Sequence, residues 1–103
     1  MLDFKREAPI CIGALGPKAL KLAAKLTWGA HPYNVTADHT SMARETMGEE
    51  AFLAPMVAVI LETDSSKARE LARKDLAIYL GLPNYRNNLL RIGFAEEDLD
   101  GGG

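Results

Sequence analysis

The sequence predicts an α/β fold in which three short buried strands alternate with amphipathic helices. Three short runs of apolar, partly β-branched residues are each followed by a segment whose apolar residues recur at helical spacing. This alternation is typical of right-handed βαβ units around a parallel sheet. Since three strands leave both outer edges of such a sheet unpaired, the pattern predicts part of a larger structure.

The first βα unit is predicted from Ile10–Ile12, a β-branched run that ends at Gly13 and is expected to be a buried strand. A helix should begin after Gly16, because Pro17 suits the first turn and the apolar residues that follow have helical spacing. Gly29 is the expected stop of this helix.

The second and third strands are predicted at residues 32–36 and 55–61. Between them, Asp38 is expected to cap a helix over residues 39–47 that Gly48 ends. The run from Pro55 to Leu61 is continuously apolar and rich in β-branched residues, which predicts a strand covered on both faces.

The last part of the chain is predicted to be helical in two pieces. Asp64 or Ser65 should cap the longest helix, which Gly81-Leu82-Pro83 breaks, and Asn84 is expected to cap a second piece. We therefore expect a single domain over 1–103, with a lead-in over 1–8, βα units over 9–94 and an acidic, glycine-ending tail over 95–103.

Composition narrows the class of protein. The chain has 103 residues, of which 48% are hydrophobic and 25% charged, so we expect a folded chain and not a disordered one. A net charge of -2 provides no basic excess for a nucleic-acid backbone. No apolar run approaches the roughly 20 residues of a membrane span, no signal peptide is evident, and the single cysteine fits a reducing compartment. These observations predict a cytoplasmic protein without nucleic-acid or membrane partners.

The most informative motif is the turn from Gly13 to Lys18, with the sequence Gly-Ala-Leu-Gly-Pro-Lys. Glycines at both ends of the turn let a ligand approach the backbone, and the N–H groups at the start of a helix attract anions. Lys18 and Lys21 add positive charge, whereas Pro17 removes one donor. The spacing is not that of the dinucleotide fingerprint. The turn is either a phosphate site or a plain connection between strand and helix.

Three blocks, Pro9–Leu20, Gly29–Tyr33 and Leu82–Phe94, together resemble the luciferase-like oxidoreductases, and among them the group that uses the deazaflavin coenzyme F420. The similarity extends from about Ala8 to the end of the third block. It implies a partial (β/α)8 TIM barrel of about three βα units, from the later-middle part of a barrel that typically has about 250 residues. In one departure, Trp28 stands where the family usually has an acidic residue.

The resemblance also implies a cofactor and a set of contacts. The family holds the cofactor phosphate on this type of loop, which assigns cofactor binding to Gly13, Ala14, Leu15, Gly16, Pro17 and Lys18. The cofactor would be coenzyme F420, with FMN as the alternative, and the reaction a hydride transfer or a monooxygenation. The parts of a barrel before and after these units have no counterpart here, so we expect a fragment of an oxidoreductase that is inactive alone. The alternative is a non-enzymatic βα module that associates with itself.

Other polar residues leave two interpretations open. His31 is expected at a strand entry, away from any chemistry, with its ring bonded to a backbone carbonyl. His39 either approaches substrate or is a solvated or capping residue, and Asn34 is the better substrate-pocket candidate of the pair Tyr33 and Asn34. Residues 84–88 contribute either a helix cap and interface contacts or a part of the binding site.

The remaining chemistry and the partners follow from the same residues. Cys11 lies between two isoleucines without an adjacent basic residue, which favours a buried small hydrophobe over a reactive thiol. The sequence contains no evident metal-ligand set and no catalytic triad, so the catalytic residues stay unassigned. Exposed sheet edges at residues 10–12 and 56–61 predict either a homo-oligomer or a complementary barrel fragment as partner.

Overall fold

The computed structural model describes residues 8–101, so most of the expected lead-in over 1–8 and the last two tail residues lie outside it. The chain divides into two compact units between Val57 and Ala58. The first unit contains a parallel sheet with two helices, and the second contains three helices. No helix in the described range is both long enough and apolar enough to cross a bilayer.

A three-stranded parallel sheet forms the centre of the first unit. Its strands are β1 (Cys11–Ile12), β2 (Gly29–Ala30) and β3 (Phe52–Leu53), and they lie side by side in that order. Cys11 is in register with Gly29, and Gly29 with Phe52. Since side chains alternate along a strand, the register places Ile12, Ala30 and Leu53 on the opposite face from Cys11, Gly29 and Phe52. The predicted α/β class with parallel strands is confirmed.

The core lies on the Ile12 face of the sheet. Helices α1 (Pro17–Leu26) and α2 (Ala37–Met47) pack against each other and supply most of the buried side chains. Leu20 and Ala23 from α1 are fully buried against Ala30 of the sheet. The core is built largely from alanine, which lets the helices and the sheet approach one another closely.

The other face of the sheet carries an aromatic stack. The rings of Trp28 and Phe52 lie parallel, with 4.1 Å between centroids and 7° between planes. Gly29 directly follows Trp28, pairs with Phe52 in the sheet and is buried. The two aromatic residues are substantially exposed, at 53% for Trp28 and 41% for Phe52. Trp28, which departs from the acidic residue usual in the luciferase-like pattern, therefore belongs to the sheet packing of this chain.

The predicted positions of the second and third strands are wrong. The second strand is at Gly29–Ala30 and not at 32–36, and the third is at Phe52–Leu53 and not at 55–61. A single parallel bridge between Tyr33 and Met56 is all that lies inside the predicted ranges. The range 32–36, predicted for the second strand, contains Pro32, which cannot donate a hydrogen bond to a neighbouring strand. It also contains Asn34, whose backbone is in the left-handed region at φ 57°. Regular strand pairing therefore ends before this range.

The helix termini show that two further predictions are wrong and confirm a third. The first helix ends at Leu26, and Thr27 is its C-cap. Gly29 is therefore a strand residue and does not terminate the helix. Thr36, not Asp38, caps α2, because the His39 backbone N–H donates to Thr36 Oγ1 at 3.3 Å. Pro17 does begin α1, as predicted.

Gly48 ends α2 as predicted, in the left-handed region at φ 81° where a side chain would be strained. Arg44, in the last turn of that helix, reinforces the end by donating to the carbonyl of Gly48 at 2.8 Å. The same guanidinium donates to the carbonyl of Ala51 at 2.8 Å, which connects the end of α2 to the start of β3.

The second unit consists of α3 (Ser65–Leu80), α4 (Pro83–Arg91) and α5 (Glu96–Leu99). The Asp64 carboxylate caps α3 as predicted, since it accepts from the backbone N–H groups of Ser66 and Lys67. The cap predicted at Asn84 is wrong: Leu82 precedes the helix and Pro83 occupies its first position. The acidic tail contains α5, a short helix that no apolar period indicated.

Arg86 joins α4 to α5. Its guanidinium pairs with the Glu96 carboxylate and, at 2.8 Å, with the Asp100 carboxylate. The hydrogen bonds that Arg86 donates to Asp100 and, second in effect, to Glu96 raise the pKa of Arg86 above its ordinary value. While both carboxylates are ionised, the charged guanidinium favours the folded state below the ordinary arginine pKa, and this contribution is lost as the pH rises through the raised folded-state pKa in strong alkali.

Candidate functional site

The candidate site lies at the edge of the sheet where the strands end. Parallel strands present their carboxyl ends at one edge, and open α/β sheets bind ligands in the crevice outside that edge. Three connections start there: the glycine loop after β1, residues 31–36 after β2, and the chain that follows Leu53. The predicted phosphate residues and both predicted pocket residues belong to the first two of these connections or to the start of α2.

The glycine loop, defined here as Gly13 to Lys18, connects β1 to α1. Gly13 and Lys18 are exposed, whereas Ala14 is only 5% exposed and belongs to the core, so Ala14 can offer a ligand only its backbone. Gly16 precedes the first helical residue and has extended backbone, with φ -82° and ψ 159°. Because glycine has no side chain, it supplies no acceptor for the N–H groups of the first turn.

The charges around this helix start favour an anion. The first turn of α1 contains no acidic residue, and Lys18 is the second residue of the helix. A lysine at that position opposes the positive end of the helix dipole, which costs about 0.3–1 kcal/mol at an exposed site. A bound anion would offset this cost, because it attracts both the ammonium and the positive end of the helix dipole. Lys18 thus slightly destabilises the start of α1, and a bound phosphate would restore that stability.

His39 holds the glycine loop in place. The side chain is fully buried, so the interpretation of His39 as a solvated residue is wrong. Its Nε2 lies 2.8 Å from the carbonyl oxygen of Leu15. A carbonyl can only accept, so Nε2 carries the hydrogen and donates to Leu15.

This bond orients the peptide group between Leu15 and Gly16. In a trans peptide, the C=O and the following N–H point in opposite directions, and no cis peptide occurs in the described chain. With the Leu15 carbonyl directed at His39, the Gly16 N–H is directed away from His39. His39 Nδ1 is buried and has no hydrogen-bond partner among the described residues. His39 is therefore placed to position the loop through the Leu15 carbonyl.

His31 lies at the opposite end of β2 from the one predicted. Because β2 is Gly29–Ala30, His31 directly follows the strand and lies at its carboxyl end, on the same side of the sheet as the glycine loop. The predicted bond to a backbone carbonyl is confirmed, since Nδ1 lies 2.5 Å from the oxygen of Ala54. The ring is exposed, and the neutral tautomer places the lone pair on Nε2. The sequence prediction placed His31 at the wrong end of the strand because the predicted strand began three residues too late.

Tyr33 and Asn34 follow β2 and do not lie within a strand as predicted. Tyr33 pairs with Met56 through the isolated bridge, and its ring meets that of His31 edge to face at 6.4 Å. Asn34 is half-buried, with the left-handed backbone that asparagine tolerates better than most residues. Of the two pocket candidates, only His39 is brought to the glycine loop.

Residues 84–88 belong to the second unit and have structural roles there. Asn88 is 2% exposed, and the ring of Tyr85 meets that of Tyr79 edge to face at 5.1 Å. With Arg86 paired to two carboxylates, these contacts pack the segment within the second unit, but the helix cap expected at its start, at Asn84, is wrong. Cys11 is half-buried in β1, and no group of three metal-ligating side chains occurs within residues 8–101.

Comparisons with known proteins add no relative. No protein-family model matches the sequence, and no significant match was found among curated proteins or among solved structures.

Proposed function

We propose that the chain is part of a luciferase-like oxidoreductase barrel, to which it contributes the loop that holds the cofactor phosphate. The observation that carries this proposal is the glycine loop at the carboxyl end of β1, with an uncapped helix start and Lys18 in the first turn. The cofactor is coenzyme F420 or FMN, and it supplies the hydride chemistry when bound. In this proposal the three parallel strands are three of the barrel strands.

The residues of the glycine loop fit a phosphate group. The N–H groups of Gly16, Lys18 and Ala19 have no helical acceptor at the start of α1, while Pro17 has no N–H to offer. The Lys18 ammonium adds a flexible positive charge on the exposed side. His39 contributes by holding the Leu15 carbonyl, so that the Gly16 N–H keeps its direction. The protein thus binds and orients the phosphate through its backbone.

Phosphate titration followed by amide NMR shifts tests the loop. Wild-type chain should bind inorganic phosphate weakly, with a dissociation constant of about 1 mM or above, and the largest shifts should fall on residues 13–21. Gly16→Val should abolish the shifts, because the isopropyl group lies where the phosphate must approach the backbone. Valine readily adopts the extended conformation of Gly16, so the variant should fold.

Lys74→Ala is the matched control for this titration. Lys74 is an exposed lysine that pairs with Glu70 at 2.7 Å on α3, so its loss removes a positive charge without touching the loop. This variant should titrate like wild type. Shifts that are largest outside residues 13–21, or that survive Gly16→Val, would show that the loop only connects a strand to a helix.

The isolated chain of 103 residues is expected to show no oxidoreductase turnover. Cofactor sites bury most of the ligand surface, and three strands of two residues each provide one side of such a site at most. Reduced coenzyme F420 and reduced flavin, each offered with carbonyl and alkene acceptors, should be oxidised no faster than in buffer. Turnover above that background by the purified chain would contradict the expectation.

A further inference from the structure

His31 lies where the three strands of the sheet end. It directly follows β2, the central strand, and its backbone N–H donates to the carbonyl of Ile12 in β1 at 2.9 Å. Its side chain reaches the other neighbour, since Nδ1 lies 2.5 Å from the carbonyl oxygen of Ala54, which follows β3. His31 is therefore bonded to both outer strands at the carboxyl edge, and all three residues belong to the first unit.

The bond to Ala54 fixes the tautomer of the His31 ring. A carbonyl oxygen can only accept, so in the neutral ring the hydrogen is on Nδ1 and the lone pair is on Nε2. The edge-to-face contact with Tyr33 holds the same ring from a second side. Within residues 8–101, Nε2 forms no hydrogen bond, and His31 is exposed. The carboxyl edge of the sheet therefore carries an oriented acceptor that is not used within the first unit.

This acceptor lies beside the glycine loop. Ile12 pairs with Ala30, so the next residues along the two strands, Gly13 and His31, are neighbours as well. Neighbouring strands lie about 4.8 Å apart, and Gly13 is the first residue of the loop. A ligand whose phosphate lies on the loop and whose other atoms follow the sheet edge toward β3 must therefore pass His31.

We propose that His31 Nε2 accepts a hydrogen bond from a hydroxyl group of the ligand whose phosphate binds the glycine loop, so that the site prefers phosphate monoesters of polyols. This inference rests on the proposed function, because it requires a phosphate on the loop. The ionised oxygens of a phosphate are acceptors, as the Nε2 lone pair is, so Nε2 recognises a different part of the ligand.

Charge favours a hydroxyl group over an ammonium group as the donor. Lys18 is exposed in the first turn of α1, and the start of that helix is the positive end of its dipole. Both repel a second cation near the loop. A neutral hydroxyl group donates to Nε2 without this repulsion, which is why the proposal names a polyol and not an amine.

Two phosphate monoesters of equal chain length test the preference on the full chain. Glycerol 3-phosphate and propyl phosphate differ only in the hydroxyl groups of the glycerol. Amide NMR titrations of the wild type should give a dissociation constant about threefold to tenfold lower for glycerol 3-phosphate, which is the gain expected from one hydrogen bond. Glycerol 3-phosphate should also shift the Nε2 nitrogen resonance of His31 more than propyl phosphate does.

Two variants separate the Nε2 lone pair from the bond to Ala54. In His31→Asn the amide nitrogen can replace Nδ1 as donor to Ala54, but no acceptor remains at the position of Nε2, so the ratio of the two dissociation constants should fall to about one. In His31→Gln the amide oxygen can reach the position of Nε2, so part of the preference should return. Lys74→Ala, on α3, should keep the wild-type ratio.

The failure of this inference is distinguishable from the failure of the proposed function. If both esters shift residues 13–21 but bind equally, His31 does not contact the ligand and the phosphate loop stands. If neither ester shifts those residues, both proposals are overturned. A preference that survives His31→Asn would assign the hydroxyl group to another residue. Should that variant not fold, a wild-type Nε2 resonance that responds equally to the two esters overturns the inference by itself.

Discussion

Gly29→Ala is expected to lower the free energy of unfolding by about 3 kcal/mol. A Cβ at this position would lie 1.8 Å from the carbonyl oxygen of Phe52 and 2.6 Å from its carbonyl carbon. These are backbone atoms of the neighbouring strand, in register with Gly29, so β3 must move away from β2 to make room. The movement would also separate Trp28 from Phe52, whose rings are stacked across this pair.

Urea unfolding followed by the fluorescence of Trp28, the single tryptophan, measures this effect directly at the affected strands. Gly13→Ala is the control, because a Cβ there meets no atom within 4 Å and the Gly13 backbone is not in the left-handed region. Its midpoint should stay close to that of wild type. Equal midpoints for the Gly29 and Gly13 variants would show that the close approach of β2 and β3 does not limit stability.

His39→Ala is expected to lower the free energy of unfolding by a similar amount, about 3 kcal/mol. The substitution empties a fully buried site and removes the donor that the Leu15 carbonyl uses at 2.8 Å. Both losses act at the junction between α2 and the glycine loop. The Gly16 amide should therefore exchange with solvent faster in this variant than in the wild type, relative to the amides in the middle of α1.

His39→Gln separates the bond from the packing. The glutamine amide reaches about as far as Nε2 and can still donate to Leu15, so this variant should regain most of the lost stability and slow the Gly16 exchange again. Amide exchange and urea unfolding on the two variants provide the comparison. If glutamine is as damaging as alanine, the bond to Leu15 does not position the loop.

The helices were predictable because their signals are local. Pro17 at the start of α1, Asp64 as the cap of α3 and Gly48 at the end of α2 lie where the sequence places them. A cap or a left-handed glycine acts on backbone groups within a few residues, so its effect is contained in a short stretch of sequence. The error at Asp38 has the same origin, since Thr36 is an equally good local cap.

Part of the candidate site was also predictable. The glycine loop follows β1 and precedes α1 as its sequence indicates, because a strand, two glycines and a proline suffice to specify that connection. The bond between His39 and Leu15 was not predictable, since it joins residues from different elements. The position of His31 was predicted wrongly because the residues of β2 were predicted wrongly.

The sequence by itself determined the α/β class, the helix termini at Pro17, Gly48 and Asp64, and the glycine loop. Only the tertiary structure decided which residues pair as strands, that His39 is buried, and that residues 57–61 form no strand. The physical reason is that strand pairing depends on close approach between distant segments. Gly29 and Ala30 permit that approach next to Phe52, whereas the more apolar run at 57–61 finds no partner strand among the described residues.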